Sequence, residues 1–173
     1  MNRFGLNKQR LSDRSLVRCF DVDGVLITYA YGLYGIYACS ENNFEEYLKA
    51  HNIYDEAVAP LLMQEYIQNC TIKENNFVIT KAYTDYEVGC KKDAIMRLYD
   101  GKFKEENIIG VKENKDKAII IQSIADRMDL KENSIVMIDD TIEVLDYIEK
   151  LRVTDPRLLT LHVSSFLNIK DWR

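Results

Sequence analysis

Three apolar runs end in residues that can do chemistry. Leu16–Phe20 runs into Asp21, Phe77–Ile79 into Thr80, and Ser134–Ile138 into Asp139. A second carboxylate follows two of these ends: Asp23 at i+2 from Asp21, and Asp140 next to Asp139. In an extended chain, positions i and i+2 face the same side, so Asp21 and Asp23 can be presented together. Gly24 then lets the backbone turn sharply beneath them. Each residue alone has a plain structural reading. Asp23–Gly24 is a common turn pair, Asp139–Asp140 serves a helix N-cap as readily as a metal, and Thr80 can simply end a strand. Their joint placement changes the balance. In open α/β sheets, ligands bind beyond the carboxyl ends of the strands. Carboxylates gathered there suit cation binding and proton transfer.

The elements that must hold these residues can be read from the pattern. Two further apolar runs, Ile108–Ile109 ending at Gly110 and Leu158–Val163, bring the strand count to five. Short apolar runs bounded by polar residues fit strands buried on both faces. Between them lie helical patterns. One runs from about Tyr86 to Tyr99. Ala118, Ile121, Ile124, Ala125 and Met128 share a second helical face, and Val144, Leu145, Ile148 and Leu151 a third. Strands alternating with helices imply a parallel sheet with crossovers. The fold class is α/β, a Rossmann-like three-layer α/β/α sandwich. The segment from Gly24 to Asn76 is far longer than a crossover needs. It opens on Tyr29, Tyr31, Tyr34 and Tyr37, and its pattern predicts helices near Asn43–His51 and Asp55–Asn69.

Together these features resemble the haloacid dehalogenase-like superfamily of phosphohydrolases. Cys19-Phe-Asp-Val-Asp-Gly-Val-Leu26 resembles the family's first motif, an apolar strand followed by Asp-x-Asp-Gly. Phe77-Val-Ile-Thr80 resembles the second, a strand ending in Ser or Thr. The third is a lysine near a helix start; Lys117 fits, with Lys115 the less favoured register. Ile135-Val-Met-Ile-Asp-Asp140 resembles the fourth, an acidic pair after a strand. The motifs occur in family order from about residue 16 to residue 163.

The resemblance implies strand order 5-4-1-2-3 and a Mg²⁺-dependent phosphatase. Its metal ligands would be Asp21, the carbonyl of Asp23, and Asp139, helped by Asp140. Asp21 would be the nucleophile and form an aspartyl-phosphate. Asp23 would be general acid and then base, Thr80 a hydrogen-bond donor to phosphoryl oxygen, and Lys117 a fixed positive charge. The family's dehalogenase branch lacks the second aspartate, so Asp23 favours phosphoryl chemistry. Phosphonate hydrolysis in the family needs an additional cap lysine, and nothing singles out Lys49 for that role.

Composition bounds the rest. The chain has 173 residues, 47% hydrophobic and 29% charged, which suits a single domain over residues 1–173, with a small cap or elaborated crossover at 28–76. The 23 basic and 28 acidic residues give a net charge of −5. That argues against dedicated nucleic-acid binding. It also means that a cation should help to hold an anionic substrate. The four cysteines form no C-x-x-C pair, so a zinc site is not expected. Cys19 reads as a buried thiol, and reduced cysteines fit a cytoplasmic protein. No run has the length of a signal core or a membrane span. His51 and His162 lack a nucleophile context and read as structural or exposed. The expected partner is a small phosphorylated molecule, with neither nucleic acid nor membrane. The rival from another class is a catalytically silent binding or regulatory module on the same scaffold. A phosphoacceptor receiver domain is disfavoured, because there the acidic pair precedes the acceptor aspartate.

Overall fold

The computed structural model describes residues 6–28, 44–50 and 52–168. Its elements, in chain order, are α1 (Lys8–Leu11), β1 (Val17–Phe20), α2 (Phe44–Ala50), α3 (Leu61–Cys70), β2 (Asn76–Lys81), α4 (Asp85–Leu98), β3 (Ile108–Val111), α5 (Asp116–Arg127), β4 (Ile135–Asp139), α6 (Ile142–Arg152) and β5 (Leu158–His162). The five strands form one sheet in the order β3-β2-β1-β4-β5, and every pairing is parallel. Read from the other edge, this is the expected order 5-4-1-2-3.

Strand alternation builds two cores, one on each face of the sheet. Val17, Cys19, Phe77, Ile79, Ile135 and Met137 face one cluster with Ile121 and Ala125 of α5 and Val144 and Ile148 of α6. Phe20, Val78, Val136 and Ile138 face the other, with Tyr66 and Ile67 of α3 and Ala94 and Ile95 of α4. The result is the three-layer α/β/α sandwich.

The helix expected over Asp55–Asn69 is shorter than its pattern suggests. It begins only at Leu61, with Pro60 at the N-cap. Proline disfavours helical geometry in the residue before it. Val58 instead bridges Thr28 antiparallel, with N–H···O bonds of 2.8 Å in both directions. Tyr29, Tyr31, Tyr34 and Tyr37, with Cys39 and His51, lie outside the described residues, as does the Lys49 side chain. No described helix is long and apolar enough to cross a membrane.

At the amino end of β1 the side chain of Arg18 is fully buried. Its guanidinium donates to Tyr66 Oη at 2.5 Å and to the carbonyls of Leu16 at 2.5 Å, Leu11 at 2.6 Å and Asp13 at 2.9 Å. It thereby ties α1 and α3 to the strand. Burying a charge needs this degree of satisfaction. We expect Arg18→Met to cost about 2–4 kcal/mol, because several buried acceptors lose a charged donor at once. Urea denaturation at matched pH measures it, and an unchanged midpoint would show that the cluster contributes nothing.

Candidate active site

The carboxyl ends of β1 and β4 are neighbours, with Phe20 paired to Ile138. Asp21 N–H donates to the Ile138 carbonyl at 3.0 Å, which fixes Asp21 beside the end of β4. Asp21 and Asp139 are both buried. Carboxylate oxygens of Asp21, Asp139 and Asp140 lie within 4.8 Å of one another. Asp139 Oδ1 accepts the Thr141 N–H at 2.8 Å, which fixes this carboxylate just ahead of α6. The N-cap of α6 is Thr141, so the helix-cap reading of Asp139–Asp140 does not hold.

Lys117 comes from the first turn of α5 and is buried. Its Nζ lies 2.9 Å from Asp21 Oδ1 and 2.9 Å from Asp139 Oδ2. Only the bond to Asp139 is aligned as a hydrogen bond. Asp21 Oδ1 is therefore charge-paired yet buried without accepting one. Burial removes water from Asp21 and pushes its carboxyl up to about 6, against the pull of Lys117 and with added repulsion from Asp139 and Asp23. For Lys117, burial favours the neutral amine, but Asp21 and Asp139 outweigh it and hold the ammonium above its usual range. Lys115, the alternative register, sits at the helix N-cap, is exposed, and pairs with Glu113 at 2.6 Å. It does not join the cluster.

Asp23 lies in a tight loop after β1. The Val22 carbonyl accepts from Leu26 N at 2.9 Å and Ile27 N at 3.0 Å, and Tyr99 Oη donates to the Leu26 carbonyl at 2.6 Å. Gly24 makes the turn with φ 74°, a left-handed conformation that side chains resist. A Cβ there would also collide with the Asp140 carboxylate. Thr80, fully buried at the end of β2, completes the set of expected residues at this sheet edge.

Two further groups stand here: Lys91, which nothing in the sequence singled out, and His162, which reads from sequence as structural or exposed. Lys91, on α4, is 1% exposed. Its Nζ lies 2.6 Å from the Lys81 carbonyl, 2.7 Å from Asp23 Oδ2, 3.0 Å from Glu87 Oε1 and 3.2 Å from Thr80 Oγ1. Burial opposes its charge, but Asp23 and Glu87 prevail and hold it above the usual range. The available signal was a Glu–Lys pair at i, i+4 on the same helix stripe as Ala94 and Ile95. His162, paired with Asp139 across β4 and β5, has Nε2 3.0 Å from the Asp140 carbonyl and Nδ1 2.7 Å from Ser164 Oγ. It braces the backbone of the acidic pair.

No protein-family model and no curated protein matches the sequence. Solved structures do match. A haloacid dehalogenase-like family hydrolase from Streptococcus pneumoniae aligns with a TM-score of 0.53 at 16% identity, covering 91% of this chain and 99% of that one. The HAD domain of the effector protein Lem4 from Legionella pneumophila aligns at 0.49 and 16%, covering 87% of this chain and 86% of that one. At this identity the first alignment speaks to architecture, and with the strand order it shows that the chain has the haloacid dehalogenase-like α/β fold.

Proposed function

We propose that the chain is a Mg²⁺-dependent phosphohydrolase that cleaves a small phosphate monoester through an aspartyl-phosphate on Asp21. The observation that carries this reading is the buried Asp21–Lys117–Asp139 triad with Asp140 beside it. Three carboxylates gathered against the one ammonium of Lys117 leave negative charge that a cation would balance. The donor set is entirely oxygen, which suits a hard cation such as Mg²⁺. The residues therefore fit the metal, and Asp21, Asp139, Asp140 and the Asp23 carbonyl would hold it. When bound, the ion supplies positive charge between the attacking carboxylate and an anionic ester.

The chain's own residues then divide the work. Asp21 attacks phosphorus, and the ester oxygen departs with its bonding pair. Asp23 gives that oxygen a proton, then takes one from the water that hydrolyses the aspartyl-phosphate. Lys117, already locked against Asp139, adds a fixed charge at Asp21 with little reorganisation. Thr80 donates its hydroxyl hydrogen to a phosphoryl oxygen.

The direct test is Asp21→Asn, which keeps the shape and removes the nucleophile. We expect turnover of phosphate monoesters to fall by about three orders of magnitude or more. We also expect a chelator to abolish wild-type activity and Mg²⁺ to restore it. Near-normal turnover by the variant would refute Asp21 as nucleophile. A wild-type chain that binds phosphate esters with Mg²⁺ but never hydrolyses them would favour the silent module.

A second expectation concerns stability in chelator. With its pKa raised to about 6, Asp21 in the folded chain keeps a proton that the unfolded chain has already released. Stability of the metal-free protein should therefore fall as pH rises from about 4 to about 6. Asp21→Asn removes this cost. In chelator near pH 7 it should be more stable than wild type by on the order of 1–3 kcal/mol, with the gap closing towards pH 4. Denaturant midpoints at the two pH values measure it. A wild-type chain as stable as the variant at pH 7 would contradict the charge crowding.

A further inference from the structure

Lys91 is the buried charge that the mechanism above leaves without a task. Burying an ammonium costs several kcal/mol before its partners repay it, and an apolar residue of similar volume is often as stabilising. The surroundings of Lys91 are specific. Three ammonium hydrogens face four acceptors, and the nearest three are the Lys81 carbonyl, Asp23 and Glu87. Glu87 is buried on the same helix and also accepts from Tyr83 N–H at 2.8 Å and Tyr54 Oη at 3.2 Å. It is thus fixed in place and balances the lysine charge. Asp23 differs, being about one-third exposed on a loop rather than on a strand. A half-buried aspartate on a loop needs side-chain partners to hold one rotamer. A general base must stay within hydrogen-bond reach of the water that it deprotonates. The 2.7 Å ion pair to Lys91 anchors Asp23 to the rigid α4–β2 edge.

We propose that Lys91, itself held by Glu87 and the Lys81 carbonyl, is a positioning residue that fixes the Asp23 carboxylate as the base for hydrolysis of the aspartyl-phosphate. The proposal rests on the phosphohydrolase reading. In that step the water gives its proton to the Asp23 carboxylate, its oxygen bonds to phosphorus, and Asp21 leaves as a carboxylate.

The experiment follows nitrophenolate release from p-nitrophenyl phosphate, whose phenolate leaves unaided, with Mg²⁺ present. Lys91→Met should release about one equivalent of nitrophenolate per chain in a burst and then turn over roughly 100-fold more slowly than wild type, because the aspartyl-phosphate forms but is hydrolysed slowly. Asp23→Asn should do the same. The double variant should be no slower than Asp23→Asn alone, because a residue that works through Asp23 has nothing left to position. Lys91→Arg, which keeps the charge, should recover part of the steady-state rate. If Lys91→Met does not fold, Lys91→Gln, of similar length but neutral, carries the same comparison. Unchanged turnover, slowed turnover with no burst, or multiplied losses in the double variant would overturn the positioning role while leaving the phosphohydrolase reading standing. No nitrophenolate release by the wild-type chain would overturn both.

Discussion

The structure is organised around a crowding of negative charge at the carboxyl edge of β1 and β4. Parallel pairing sets the ends of these strands side by side, with Asp21 directly after β1 and Asp139 the last residue of β4. A third carboxylate, Asp140, follows. Such a concentration in a low-dielectric setting is unfavourable unless cations intervene. Lys117 is the resident cation, reaching from α5 to within 2.9 Å of both buried carboxylates. The position of α5, the bond from Thr141 N–H to Asp139 ahead of α6, and the bracing of Asp140 by His162 all serve this edge. The opposite end of β1 shows the converse arrangement. There Arg18 is a buried cation satisfied by carbonyls and a phenol. One four-residue strand therefore carries charge of opposite sign at its two ends.

The second cation divides the site into two halves. Lys117 serves Asp21 and Asp139, and Lys91 serves Asp23 and Thr80. These lysines come from helices that cover opposite faces of the sheet. Each aspartate of the Asp-x-Asp pair thus has its own ammonium. Asp21 Oδ1 lies 2.9 Å from Lys117 on α5, and Asp23 Oδ2, two residues on, lies 2.7 Å from Lys91 on α4.

How much was legible from sequence follows the same division. Asp21, Thr80 and Asp139 could be found because each is contiguous with an apolar run, and a strand end is a local signal. The sheet order was available only through the motif resemblance, since local patterns do not say which strands are neighbours. Lys91 was missed because nothing local separates it from Lys92. The distinction appears when the helical stripe is traced through Glu87, Lys91, Ala94 and Ile95, where a charged pair occupies an otherwise apolar face. The helix expected over Asp55–Asn69 came out short because its pattern was read across Pro60. His162 reads as structural or exposed, but its contact with Asp140 could not be read, since the partner is a backbone carbonyl 22 residues away and backbone atoms leave no trace in a sequence.

The bridge between Thr28 and Val58 bears on how such a chain can diverge. It joins the loop that carries Asp23 to the returning chain, which is then fastened to α4 by Arg97 through the carbonyls of Tyr54 at 2.9 Å and Ala57 at 3.4 Å. The intervening residues are spliced into the α/β body at two fixed points. Loop-closure entropy rises only slowly with length. Added length between those points therefore costs little, although Leu48, Tyr54 and Ala57 within them belong to the core and are not free to change. The bridge sets where the stretch leaves and rejoins the body, so its length can vary without pulling on the loop that carries Asp23.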